Sequence, residues 1–349
     1  MQTYRAALIG CSRMGAFIDN EVAADRGAYS HAAGYEVCAR TEMVACSDMR
    51  TEVMERTGQR YGVPKQRQYL DYREMIEREK PDILSIATQP EHRAEIAIWA
   101  AANGVRAIYA EKALCASLAE ADAMVAAMEA NGVWLNMGTN RRWDPGYDAM
   151  KAMIESGELG ALQNLVLHST SSLFNGASHG FDLLMRLNDD APVAWAQAHL
   201  QTHGEVEEGG FLREDPVGHG LIQFANGVMG YALNSGRGLV VEAVCEKGVV
   251  TALDNGQEWQ VRLADGTAGV FPDFISASST VGLIDDLVEA LDSGRPPRCG
   301  VRLAHANTAL IFAFIESHQR GGARVELPLE SSPYCLQRRR DPRQPKYNR

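Results

Sequence analysis

Over its first 137 residues the chain alternates short, almost wholly apolar runs with segments of helical period. TYRAALIG (3–10), EMVACSDM (42–49), ILSIAT (83–88) and RAIYAEK (106–112) read as strands covered on both faces, the pattern of a buried parallel sheet. Between them, LDYREMIEREK (70–80) predicts a polar-faced helix and AEIAIWAAANG (94–104) an apolar one. Strand and helix in alternation predict an α/β fold with a doubly wound parallel sheet, and such sheets bind ligands beyond the carboxyl ends of their strands. The strand ILSIAT delivers Thr88, Gln89 and Pro90 to that edge.

After VWLNMGTN (133–140) the pattern changes, which sets a boundary near residue 137. From LQNLVLHSTSS (162–172) onward, runs such as AWAQAHLQT (194–202), GLIQFANGVMGYALNS (220–235), LVVEAVCEKGVVTAL (239–253) and EWQVRLADG (258–266) alternate with a period of two and predict antiparallel strands in one sheet. Two amphipathic helices follow, at 280–294 and 301–322, each with glycine at its end. The expected organisation is therefore an N-terminal α/β domain over 1–137, an α+β domain over 138–330, and a polar, basic tail over 331–349. That tail reads either as a disordered or surface-docked segment, or as a contact to a neighbouring subunit or an anionic substrate.

A length of 349 residues suits two domains with ample core. With 34 basic against 45 acidic residues the net charge is −11, which argues against nucleic acid and anionic membrane surfaces as partners. No segment approaches the ~20 apolar residues of a membrane helix, and the expected location is the cytoplasm. Seven cysteines, scattered and without CxxC spacing, indicate neither a disulfide framework nor a metal site, and Cys11, Cys46 and Cys115 read as small buried hydrophobes.

Chemistry enters with GCSRMG (10–15), which follows the first strand as a dinucleotide fingerprint with one change. Gly10 permits the tight turn, Gly15 lets helix and strand pack closely, and Ser12 replaces the middle glycine, with Arg13 and Met14 completing the loop. Asp48, ending the second strand, is suited to accept hydrogen bonds from ribose hydroxyls and favours NAD; Arg50 leaves use of NADP open. The span from Gly15 to Asp48 exceeds the usual ~20 residues, and its excess, residues 19–35 with Gly27, Tyr29, Ser30 and His31, reads as a loop beside the cofactor. Glu111-Lys112 ends another strand at the same edge, where core packing calls for no lysine.

GCSRMG, the strand-ending Asp48, ATQPEHRAE, AEKAL, TNRRWDPGYDAMKAMIESGELGAL, NGASHGFDLL and GGARVELPL together resemble the glucose-fructose oxidoreductase, inositol dehydrogenase and MocA-type (Gfo/Idh/MocA) family, from residue 4 to about residue 328. The resemblance implies an N-terminal Rossmann domain and a C-terminal domain with an open, mainly antiparallel sheet used for assembly into homodimers or homotetramers. It also implies a carbohydrate or cyclitol substrate, and a catalytic trio of lysine, aspartate and histidine. Lys112 and His179 match that trio, whereas Asn175 stands where aspartate is common. An asparagine orients a hydroxyl or an imidazole but accepts no proton as a carboxylate does.

The residues assign the work as follows. His179 is the base that takes the hydroxyl proton, and Lys112 steadies the developing alkoxide; the two roles are exchangeable. Thr88, Pro90 and Glu111 join the fingerprint and Asp48 as cofactor contacts, Arg142, His168 and Arg237 are candidate substrate contacts, with a structural role the alternative for Arg142, and His203 and His219 are further candidates. Asp182 reads as core support. The expected activity is NAD(P)-dependent oxidation of a secondary hydroxyl. Two alternatives stay open: a glycosidase or lyase that oxidises a ring carbon transiently and returns the hydride, and a non-catalytic NAD-binding regulator.

Overall fold

The computed structural model describes residues 2–22, 27–169, 172–235 and 238–338. Its first layer is a six-stranded sheet built from β1 (Tyr4–Ile9), β2 (Thr41–Ser47), β3 (Gln68–Tyr69), β4 (Ile83–Ile86), β5 (Ala107–Ala110) and β6 (Trp134–Met137). The order is β3-β2-β1-β4-β5-β6 and every pairing is parallel. The order reverses beside β1, so β1 and β4 open a crevice at their carboxyl ends. Strands β4 and β5 are buried along their whole length, which is why their sequences run apolar rather than alternating.

Helices α1 (His31–Val37), α2 (Thr51–Tyr61), α3 (Tyr72–Glu79), α4 (Pro90–Ala102) and α5 (Leu118–Asn131) connect these strands. Their limits are chemical. Ser30, Asp71 and Ser117 accept backbone N–H bonds as caps of α1, α3 and α5, and Pro90 opens α4 where its missing N–H costs nothing. The fingerprint does not lead into a long helix: Arg13–Phe17 forms one wide π-helical turn and Ile18–Asn20 one tight turn. The segment expected to be a loop to residue 35 becomes helix from His31, because Ser30 supplies a cap.

After α6 (Pro145–Glu155), the second layer comprises β7 (Leu162–Ser169), α7 (Ser178–Leu187), β8 (Val193–Thr202), β9 (Phe211–Leu212), β10 (Val217–Phe224), β11 (Met229–Asn234), β12 (Val240–Cys245), β13 (Gly248–Leu253), β14 (Glu258–Leu263), α8 (Ser279–Ser293), α9 (Val301–Gln319), β15 (Val325–Glu326) and β16 (Cys335–Leu336). Eight strands form an open sheet in the order β14-β13-β12-β7-β11-β10-β8-β15, antiparallel except where β7 meets β11. Helix α8 returns to the first layer: Leu283, Ile284, Leu287 and Val288 pack in the core that holds β1, β4 and β5. Helix α9 lies against β8, where Ser317 Oγ accepts from Ala198 N. No helix among the described residues is long and apolar enough to cross a membrane.

Candidate active site

A long cleft runs along the carboxyl edge of the first sheet and under the Ser172–His179 segment, lined by residues of both layers. At one end Gly10 turns at φ +90, and a Cβ there would meet the Ala87 carbonyl carbon at 2.9 Å. Gly15 packs so tightly that a Cβ would strike the Gly10 carbonyl oxygen. Ser12, Arg13 and Met14 line the cleft, whereas Gly15 is buried behind it. The backbone-only approach at Gly10, and a Thr88 hydroxyl that is buried in this wall with no hydrogen-bond partner among the described residues, fit a bound dinucleotide.

Asp48 departs from the expected free acceptor. Its Oδ2 accepts from Cys11 N at 2.8 Å, and its Oδ1 accepts from Arg50 N at 2.9 Å and Arg50 Nε at 3.3 Å. The carboxylate thus clamps the fingerprint turn to the end of β2, and only its remaining lone pairs face the cleft. Pro90 lies in the same wall. Beneath it, buried Arg93 donates to the carbonyls of Thr88 and Ala113, tying the end of β4 to the loop after β5.

At the other end β5 delivers Glu111 and Lys112. Glu111 is buried, with Oε1 at 3.2 Å from His31 Nε2, while Oε2 accepts from Lys112 N at 3.2 Å. His31 is itself enclosed: Nδ1 is 2.8 Å from Ser85 Oγ, and the ring stacks on Tyr109 at 3.7 Å. It supports Glu111 from below rather than lining the cleft. Burial drives the Glu111 carboxyl up, but the His31 hydrogen bond and the Lys112 and Arg93 charges outweigh this and hold it below its usual value.

Lys112 Nζ donates to Asn175 Oδ1 at 2.8 Å, which joins the two layers across the cleft. Burial lowers the pKa of this amine, Glu111 and Asp215 oppose the shift, and Arg93 and Arg141 add to it. Asn175 sits in the π-helical turn Leu173–Ala177 and His179 in the first turn of α7, and both line the cleft. The Nδ1 of His179 is buried without a hydrogen-bond partner among the described residues. Burial, then the positive charges of Arg141 and Lys112, push its pKa well below the ordinary imidazole value. A neutral imidazole at this place in the cleft can accept a proton from a ligand hydroxyl.

The cleft does not gather every candidate. Arg142 is 1% exposed and locked into a closed cluster: its Nε and Nη2 donate to Asp182 at 2.9–3.1 Å, and Nη1 and Nη2 each donate to Asp190 at 2.8 Å. It is a structural cation, and Asp182 is its core support rather than an orienter of His179. We expect Arg142→Ala to cost about 3–5 kcal/mol in a denaturation titration, because it strands a buried carboxylate; a loss near zero would mean that Asp182 is neutralised elsewhere. His168 alternates with the buried Leu167 and Ser169, so it lies on the other face of the sheet, 3.2 Å from Ser235 Oγ and 3.4 Å from Glu242. His219 pairs with His199 on neighbouring strands, outside the cleft wall, whereas His203 lines it. Arg237 lies outside the described residues.

Other cleft residues were not anticipated. Asp215 accepts from Ser172 Oγ at 2.6 Å, Phe174 N at 2.9 Å and Asn175 N at 3.0 Å. Arg338 begins the run that reads as a basic tail; β16 docks beside β9, and the arginine then reaches the cleft wall, donating to both oxygens of Glu91 at 2.6 and 2.7 Å and to Gln89 at 2.9 Å. The rest of that tail, 339–349, lies outside the described residues.

Comparison with known proteins fits this geometry. Residues 4–139 match the model of an oxidoreductase family with an NAD-binding Rossmann fold, GFO_IDH_MocA. The chain is 35% identical to D-apiose dehydrogenase of Paraburkholderia graminis over 46% of its own length and 38% of that protein's, so this match spans well under half of the relative. It is 26% identical to myo-inositol 2-dehydrogenase of Thermotoga maritima over 67% of its own length and 74% of that protein's. In fold it is similar to an inositol dehydrogenase homologue of Azotobacter vinelandii solved with NADH and myo-inositol, with a TM-score of 0.77, 17% identity and coverage of 93% and 98% of the two chains.

Proposed function

From the match of residues 4–139 to the GFO_IDH_MocA oxidoreductase family we propose that the chain oxidises a secondary hydroxyl of a sugar, sugar derivative or cyclitol with NAD. The observation that carries the reading is the Lys112 amine, bonded to Asn175 beside His179 at the carboxyl end of β5. The named activities of the apiose and inositol dehydrogenases support the substrate class. The same reading carries assembly of like subunits through the second sheet.

Gly10, Ser12, Arg13, Met14, Asp48, Thr88 and Pro90 would hold the dinucleotide, with Glu111 and Lys112 at its reactive end. Bound there, it supplies the hydride acceptor. His179 takes the hydroxyl proton, its lowered pKa keeping the ring neutral and ready. Lys112 hydrogen-bonds the same oxygen and stabilises its developing negative charge, while Asn175 orients the amine. The test is a panel of sugars, cyclitols and glycosides incubated with NAD and with NADP, following reduced nicotinamide and product together. A dehydrogenase accumulates NADH with its ketone product; glycoside cleavage without net NADH would replace this reading by the redox-neutral one.

The clamp at Asp48 sets a cofactor prediction. NAD should bind more tightly than NADP, since a 2′-phosphate meets the buried carboxylate. Asp48→Asn removes that charge and keeps one oxygen for either Cys11 N or Arg50 N, so it should narrow the difference between the two cofactors. Tighter binding of NADP than NAD by the parent protein, in a fluorescence titration, would overturn the assignment.

A further inference from the structure

The resemblance implies an aspartate where Asn175 stands, and a carboxylate stands directly behind that position. Asp215, in the loop before β10, faces the turn that carries Asn175. Four donors of that turn point at two consecutive residues: Ser172 Oγ, Phe174 N and Asn175 N donate to the Asp215 carboxylate, and Leu173 N donates to Pro216 O at 2.8 Å. Among the described residues the carboxyl only accepts hydrogen bonds, the pattern of an ionised group. It lines the same cleft as Lys112, and its charge acts on that amine.

We propose that Asp215 is a positioning residue that takes over the electrostatic duty absent at position 175: it holds Lys112 in its charged form and fixes the turn that presents Asn175 to it. The proposal rests on the reading of Lys112 as the residue that acts on the reacting oxygen. The connection runs through two bonds, from the Lys112 amine to Asn175 Oδ1 at 2.8 Å and from Asn175 N to Asp215 Oδ2 at 3.0 Å. As a turn cap a neutral amide keeps one acceptor oxygen, enough for the Ser172 and Asn175 donors that meet on Oδ2; the charge is what an amide cannot supply at all.

The surroundings support this use of the charge. Around Lys112 stand Glu111, which favours its ammonium, and Arg93 and Arg141, which disfavour it, with His179 nearby. Burial raises the Asp215 carboxyl above its ordinary value, and the three donors and the Arg338 cation work against that rise. Removing the Asp215 charge therefore leaves Lys112 with burial and two arginines against Glu111 alone, and its ammonium is released more readily.

The test reads Lys112 directly and needs no substrate. Competitive acetylation with acetic anhydride, quantified on the peptide that contains Lys112, gives the fraction of free amine as a function of pH. Asp215→Asn keeps an acceptor for the turn and removes the charge, and should speed labelling of Lys112 about threefold or more at a fixed pH below its pKa. Asn175→Asp in the same chain returns a carboxylate to the turn and should bring labelling back toward the parent rate. Should Asp215→Asn not fold, Asp215→Ser removes the charge and keeps a shorter acceptor. Unchanged labelling in a folded, NADH-binding Asp215→Asn protein overturns the proposal and leaves Asp215 a turn cap. A panel that yields no substrate, with labelling shifted as expected, would instead overturn only the proposed function.

Discussion

Lys112→Ala is expected to lower turnover by about 10²-fold or more while leaving NAD affinity within a few-fold of the parent, because an oxyanion or proton-transfer partner acts in the transition state and little before it. The geometry makes this a clean deletion. The amine's hydrogen bond is to Asn175, while Glu111 is held in place by His31 and by the Lys112 backbone N–H, which alanine retains. Lys112→Arg should not rescue: a guanidinium stays charged and cannot share a proton with His179 at neutral pH. Steady-state turnover on the best substrate, beside an NADH fluorescence titration, separates the two effects. Near-parent turnover in Lys112→Ala would make the residue a strand-end cation and remove the central step of the mechanism.

What the sequence disclosed depends on whether the information was local. Strands β1, β4 and β5 are covered on both faces, so their continuous apolar runs were legible without partners. The turn at Gly10 and the strand-end placement of Glu111-Lys112 were legible for the same reason, since each is written in a few adjacent residues. Asp48 was located correctly at the end of β2, but its bond to Cys11 N spans 37 residues and leaves no trace in spacing. For Arg142 the sequence leaves a structural and a cleft-lining role both open, because the partners that settle it lie 40 and 48 positions away.

Asp215 shows the opposite failure. It sits in an irregular loop whose sequence, REDPVG, has no period and no motif, and its importance appears only when the Leu173–Ala177 turn folds against it. His31 carries the local signature of a loop, a polar residue shortly after glycine and serine. Ser30 instead caps a helix, and the imidazole goes inward to Ser85 and Glu111. The amphipathic period of α8 was visible, yet nothing in it announces that its apolar face packs on the first sheet rather than the second.

His179 should set the acid limb of the oxidation reaction, and its environment fixes where that limb falls. The ring accepts the hydroxyl proton only when neutral, so activity must fall as pH drops through its pKa. Burial and the charges of Arg141 and Lys112 all disfavour the imidazolium, so the limb should lie below the ordinary imidazole range, with no loss of activity between neutral pH and that range. Asn175→Asp adds a negative charge one helical turn from His179, stabilises the imidazolium, and should move the limb upward. His179→Ala should abolish the limb together with about 10²-fold or more of the turnover. Turnover against pH at saturating cofactor, for the parent and both variants, measures all three expectations. If the acid limb survives unchanged in His179→Ala, the proton goes to Lys112 or to a bound water, and His179 is a binding residue whose low pKa only spares the cleft another positive charge.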